Sequence, residues 1–378
     1  MTLPAVFAFA ALNQALKTGS NVTVLLAGLH MQASPAVVGA LIATGSLLPA
    51  LLAVSIGRLN DRFGSRLPMF VGSSCSTAAL LLPVVWPTLP ALFISTIITG
   101  LCCTAFSVSS QSSVGFFGDS EDRSRNFSWL SLSFSSGSVV GPMLAGFMID
   151  NSGHSSAFLV LAFLAVPAML TMGSGRLALP SPRSPSAAPK ETGARFGRMF
   201  DLLRGKELRI IYLLTALHVS AWEVFSFLVP VYGSSIGLAA TSIGLILGAF
   251  SSATFLVRLF LPYIARRWPG LKLIRFSISF AAAMYIFFPM VTSVPLLIVL
   301  AFILGVDLGV TQPLAMQVLH ECSPPGRIGE AVGLRSATVN FTVATTPLLY
   351  GAAGGALGMM PVFWGVALLL WFAVWRLR

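Results

Sequence analysis

The sequence predicts an all-α membrane protein with twelve transmembrane helices in two pseudo-symmetric six-helix bundles. Three observations predict it. The first is composition: of 378 residues, 56% are apolar and 9% are charged. A soluble domain is about 25% charged, so this chain has too few charges to coat a water-facing surface. A disordered chain would be poor in apolar residues and rich in charge. Four cysteines spread over the chain make no disulfide framework. The second observation is a series of apolar stretches, each near the 20 or so residues a helix needs to cross the hydrocarbon core. The third is a one-sided distribution of basic residues.

In chain order the stretches lie near 3–27, 36–56, 68–86, 91–115, 127–149 and 155–175, then near 208–232, 240–262, 273–291, 295–319, 329–351 and 357–375. The first lacks a basic start and a small-residue cleavage site, so it reads as a retained helix rather than a signal peptide. Between the sixth and seventh stretches, residues 176–207 are rich in Pro, Ser and basic residues. That composition reads as a flexible linker. Its end, from Gly193 to Lys206, has the makings of a short amphipathic surface helix. The organisation expected is a first bundle over 1–175, a linker over 176–207 and a second bundle over 208–378.

The 23 Lys and Arg residues fall almost wholly on one side. With both termini cytoplasmic, the inner loops hold Arg58, Arg62, Arg66, Arg123, Arg125, Arg176 through Arg209, Arg266, Arg267, Lys272, Arg275, Arg327, Arg376 and Arg378. Lys17, Arg258 and Arg335 lie inside spans, and the opposite side has only His30, Asp150 and His154 as ionisable groups. This positive-inside pattern sets the orientation, and one missed span would scramble it. It also turns the net charge of +11 into a topology signal, so no nucleic-acid partner is expected.

An offset of 205 residues places Gly100 on Gly305, Pro142 on Pro347, Gly146 on Gly351 and Asp61–Arg62 on Arg266–Arg267. Several coincidences at one offset point to duplication. Two parallel halves imply a substrate site between them near the bilayer midplane, reached alternately from either side as the halves rock.

The turn GRLNDRFGSR at 57–66 joins the second and third spans and carries Gly57, Asp61, Arg62, Gly64 and Arg66. Its glycines permit a tight turn, and Asp61 can pair with an arginine or sit on a helix N-terminus. With this turn, twelve spans and duplicated halves, the whole chain resembles the major facilitator superfamily. Its second-half counterpart, 258–270, has Arg266 where an Asp would match. The fifth span carries GSVVGPMLAG, with Gly141, Pro142 and Gly146. This is similar to the GPxxGG motif of that family's proton antiporters, with Ala145 in place of the first terminal glycine. The resemblance implies export against protons. The other reading is ordinary packing of small residues around a proline kink.

Ionisable groups inside spans cost roughly 2.5–3.5 kcal/mol on insertion scales and usually face a cavity. In the family that the chain resembles, the first, fourth, seventh and tenth helices line the central cavity. Lys17, Glu223 and Asp307 lie near the middle of the first, seventh and tenth spans, and His218 precedes Glu223 on the seventh. A carboxyl carried either neutral or charged in a cavity suits a proton carrier. Glu223 is the first candidate for proton coupling and Asp307 the second; a structural ion pair between Glu223 and Lys17 is the other reading. Lys17, Asn13, Gln14, His218, Trp222 and Gln312 are substrate-binding candidates, although polar groups also glue helices and aromatics also pack. Arg258 and Arg335 read as gating or structural residues that bond loop carboxylates such as Glu330 or Asp61.

No GxxxxGK[ST] loop, HExxH or GxSxG motif occurs, and no Cys/His metal cluster. No enzyme activity, cofactor or metal is expected. The expected function is secondary active transport of a small organic solute by alternating access, as proton-coupled efflux (antiport). The alternative is proton-coupled uptake (symport) of a small organic anion, to which Lys17 and Arg335 are suited. A non-transporting sensor is the remote third. The expected partners are a small-molecule substrate, protons and the lipid bilayer. The expected state is a monomer in a bacterial inner (plasma) membrane, both termini cytoplasmic.

Overall fold

The computed structural model describes residues 2–115, 120–175, 205–265, 270–323 and 328–376. Most of the linker, the surface helix expected at 193–206 and the turn at Arg266–Arg267 lie outside the described residues. So do the side chains of Asp61 and Glu330 and the surroundings of Gly57.

Among the described residues there are eleven α-helices and no strand. They are α1 (Thr2–His30), α2 (Pro35–Phe63), α3 (Arg66–Val85), α4 (Leu89–Gly115), α5 (Ser120–Gly173), α6 (Lys206–Ser235), α7 (Ala240–Ala265), α8 (Gly270–Phe287), α9 (Val294–Cys322), α10 (Ile328–Leu357) and α11 (Met359–Arg376). The fifth is two arms: Gly153, at φ 83° and ψ 172°, breaks the helical path between the stretches expected at 127–149 and 155–175. Every expected span therefore falls on a helix or an arm. Nine of the described helices are long and apolar enough to cross a membrane. Side chains such as Val85 and Phe341, 83% and 70% exposed, face outward on an apolar rim.

Local signals set the ends. Ser34 caps α2, its hydroxyl accepting from the Val37 N–H at 3.4 Å, and Pro35 opens the first turn. Gly64, at φ 73°, ends α2 in a conformation that side chains disfavour. Arg66 then donates from Nε to the Met172 carbonyl at 2.9 Å, tying this turn to the end of α5.

Packing repeats between the first and second halves of the chain. Helix α1 packs on α5 as α6 packs on α10; α2 packs on α4 as α7 packs on α9; α3 packs on α4 as α8 packs on α9. The repeated glycines explain one of these contacts. A Cβ at Gly100 would strike the backbone of Gly45, and one at Gly305 would strike that of Phe250, the residue 205 positions after Gly45. Small residues let backbones meet where lipid supplies no hydrophobic drive between helices.

Candidate functional site

Two seams join the chain halves, α5 against α7 and α2 against α10. They obey the same offset. A Cβ on Gly244 would fall 2.5 Å from the Pro142 carbonyl oxygen, and one on Gly39 3.1 Å from the Pro347 carbonyl carbon. A Cβ on Gly146 would fall 2.8 Å from the Ala240 carbonyl carbon, and one on Gly351 2.5 Å from the Pro35 carbonyl oxygen. Gly39 and Gly244 are 205 residues apart, as are Pro35 and Ala240. Both seams lie toward the charge-poor face, where α2 and α7 begin, and they close the protein on that side. Gly141 serves a different contact, packing inside the first half against Ala15, Thr18 and Gly19 of α1.

One seam carries a lock that the other lacks. Asp150 accepts the Ala240 N–H at 3.0 Å and the Thr241 N–H at 2.6 Å, capping α7 from the other half of the chain. The residue 205 positions later is Gly355. Burial pushes the Asp150 carboxyl up, but the hydrogen bonds from Thr241 and Ala240 outweigh it and hold the group below its ordinary value. A depressed carboxyl pKa stabilises the closed seam above the ordinary range, and that stabilisation is lost as pH falls through the depressed value. The lock is therefore intact at neutral pH. Removing an N-cap costs about 1 kcal/mol. Asp150→Ala is expected to shift the population about fivefold toward opening on the charge-poor face; labelling of a cysteine placed at Ser226 from that face reads it.

Beneath the seams lies a cavity of about 200 Å³ between the halves. Gln14, Thr18 and Asn21 of α1 and Ser138 and Pro142 of α5 form one wall; Trp222 and Glu223 of α6 and Phe250 and Ser251 of α7 form the other. Gln14 donates to the Ser138 hydroxyl at 3.0 Å, fixing the first wall. The second is aromatic: Trp222 meets Phe250 edge-on with centroids 4.7 Å apart, and Phe225 stacks on Phe250 at 4.2 Å. Glu223 sits between this apolar wall and α1, within electrostatic reach of Lys17.

Of the candidates, Gln14, Trp222, Glu223 and Pro142 line this cavity, and those that follow lie outside its lining. Lys17 lines a pocket of about 20 Å³ inside the first half, with Ser20, Ser46, Ser95 and Thr99, which is room for about one water. Asn13 turns toward α4, donating to the Cys103 carbonyl at 3.4 Å and the Ser107 hydroxyl at 3.3 Å. Asp307 lies between α8 and α9: Ser277 donates to its backbone carbonyl at 3.0 Å and receives Thr311 at 2.8 Å, while Oδ2 of Asp307 is buried without a partner. His218 is 4% exposed and lies one turn toward the basic face from Trp222, their centroids 6.4 Å apart. Among the described residues Arg258 donates to the Ser135 hydroxyl at 3.4 Å and to Oε1 of Gln312 at 3.2 Å. Arg335 is 8% exposed and its Nε has no partner. Arg62 is exposed at the end of α2.

Gly39, Gly244 and Asp150 are absent from the sequence-derived candidates. The two glycines were findable, since they obey the offset of the Pro142 and Pro347 pair. Asp150 had no such signal, because its role depends on which helix end faces it.

The family model of the Major Facilitator Superfamily matches residues 5–294 and 211–378. Among curated proteins, the chain is 24% identical over 286 residues to multidrug resistance protein 1 of Bacillus subtilis (strain 168), covering 74% of this chain and 71% of that one. It is 27% identical over 133 residues to the class B tetracycline resistance protein of Escherichia coli, about a third of each (34% and 33%). Among solved structures, a POT family transporter in complex with 5-aminolevulinic acid superposes with a TM-score of 0.80 at 13% identity, covering 99% of this chain and 94% of that one. A nucleoside transporter superposes with a TM-score of 0.76 at 15% identity over 99% of each. At these identities the structures show a shared fold.

Proposed function

The chain belongs to the Major Facilitator Superfamily and is an integral membrane transporter, and from that premise we propose that it exports a small amphipathic organic solute in exchange for protons. The observation that carries this reading is Glu223, a carboxyl lining a cavity between the chain halves opposite polar α1 and beside an aromatic wall. A carboxyl there can hold a proton or a substrate group in turn, which couples the two fluxes. The reading is supported by the Gly141–Pro142–Gly146 motif, whose Pro142 and Gly146 lie in a seam. It is also supported by the drug- and tetracycline-resistance names of two relatives.

In this account residues 1–175 and 208–378 are the rocking bodies and 176–207 the linker between them. The basic face is cytoplasmic, with both termini there, in a bacterial inner membrane. Each chain works as a monomer because both walls of the cavity come from one chain.

The second reading, symport of an organic anion, is favoured by the cations Lys17, Arg258 and Arg335 near the path. Purified protein in liposomes with an imposed pH gradient separates the two. Organic acids and amphipathic cations are added singly while a pH-sensitive dye reports proton flux. Exchange predicts protons moving against the solute. Protons moving with an acid would reject export in favour of symport.

A further inference from the structure

Arg258 and Arg335 are two guanidinium groups in the interior of the second half, and each has an Nε buried without a hydrogen-bond partner. Nδ1 of His218 is also buried without one, and its ring lies within electrostatic reach of both arginines. Among the described residues no carboxylate hydrogen-bonds to any of the three; the partners present are the neutral Ser135 and Gln312. An uncompensated charge inside a protein is costly, and the cost is removed by a counter-charge with hydrogen-bonding oxygens.

The fold itself does not ask for these charges. At the offset of 205 residues, His218, Arg258, Gln312 and Arg335 correspond to Asn13, Ala53, Ser107 and Leu130. In the first half Asn13 and Ser107 close on each other in a hydrogen bond of 3.3 Å. At the same place in the second half Gln312 instead accepts from the Arg258 guanidinium, so the position is cationic. Planar guanidinium groups with free N–H donors match the oxygens of a carboxylate or phosphate.

Position narrows the ligand. His218 is the step between the cluster and Trp222, and Trp222 is part of the aromatic wall of the cavity. An acid whose head lies at the arginines therefore has its body along Trp222 and Phe250. Arg258 also reaches Ser135 of α5, across the chain halves, so an anion competing for this guanidinium would loosen that contact.

We propose that His218, Arg258, Gln312 and Arg335 form a binding site for the carboxylate of an amphipathic organic acid, whose apolar body lies on the aromatic wall of the cavity. This rests on reading the cavity as the solute's path, and it names the class of solute.

The test uses the full chain in nanodiscs, with tryptophan fluorescence titrated by 1-naphthoate, inorganic phosphate and tetraphenylphosphonium as probes. The expected result is naphthoate binding at least 10-fold tighter than phosphate. Arg335→Gln is expected to weaken it at least 10-fold and Arg335→Lys less, since lysine keeps charge but loses the fork; Arg376→Gln, an exposed charge at the end of α11, leaves it unchanged. If Arg335→Gln does not fold, Arg258→Lys carries the same expectation of weakening. Equal binding of phosphate and naphthoate would mean that a free anion occupies the site and would overturn the proposal, as would binding of tetraphenylphosphonium alone or no binding of naphthoate. Proton exchange driven by a cation, with naphthoate inert, would sink this proposal and leave the export reading standing. Naphthoate binding without any proton movement would do the reverse.

Discussion

Glu223→Gln is expected to abolish concentrative transport while leaving solute exchange across the membrane in place. A gradient of one pH unit supplies about 1.36 kcal/mol per proton, or a tenfold solute ratio when one proton is exchanged. Glutamine keeps the size and hydrogen-bonding capacity of the side chain but carries no exchangeable acid proton. The ratio should therefore fall to one, while counterflow of labelled against unlabelled solute continues. The position makes the effect large. Glu223 lines the cavity, whereas Asp307 is held between α8 and α9 beside Ser277 and Thr311. Asp307→Asn is the control that separates them. If it alone removed the gradient response, Glu223 would lose its role.

Gly39→Ala is expected to block closure on the charge-poor face. Its Cβ would meet the carbonyl of Pro347, a backbone group that cannot swing aside. Overpacking of this kind costs about 1–3 kcal/mol, a shift of about 5- to 150-fold away from the closed state. Because that contact exists only when the seam is shut, folding should be spared and turnover lost. Gly244→Ala, its repeat partner against Pro142, should act alike. Measured uptake into liposomes and thermal unfolding together distinguish blocked closure from misfolding.

Much of the architecture was legible because it follows from solvent. Apolar stretches of membrane length, and basic residues on one side, are direct consequences of a hydrocarbon core. The duplication was legible in Gly100, Pro142 and Gly146 with their counterparts. What each side chain faces was not. A helix that is apolar all round has no polar face to betray its packing, so the sequence ranked Glu223 ahead of Asp307 without revealing what either side chain faces; the cavity and α8 reveal it. The same blindness applies to Arg258: its place near the cytoplasmic end of its span did not point to Ser135 of α5 and Gln312 of α9, its partners among the described residues. Asn13 and Gln14 are adjacent, yet one bonds α4 and the other α5, because successive residues point about 100° apart around a helix.

If Glu223 couples protons to transport, proton binding there biases the opening of the two seams. Spin labels at Gln32 and Leu357, on opposite sides of the α2–α10 seam, test it through electron–electron distance distributions, in protein whose four native cysteines are replaced by serine. Two distance populations are expected, with a ratio that changes with pH in the native chain and stays fixed across pH in Glu223→Gln. One distance at every pH, or an unchanged pH response in Glu223→Gln, would contradict it.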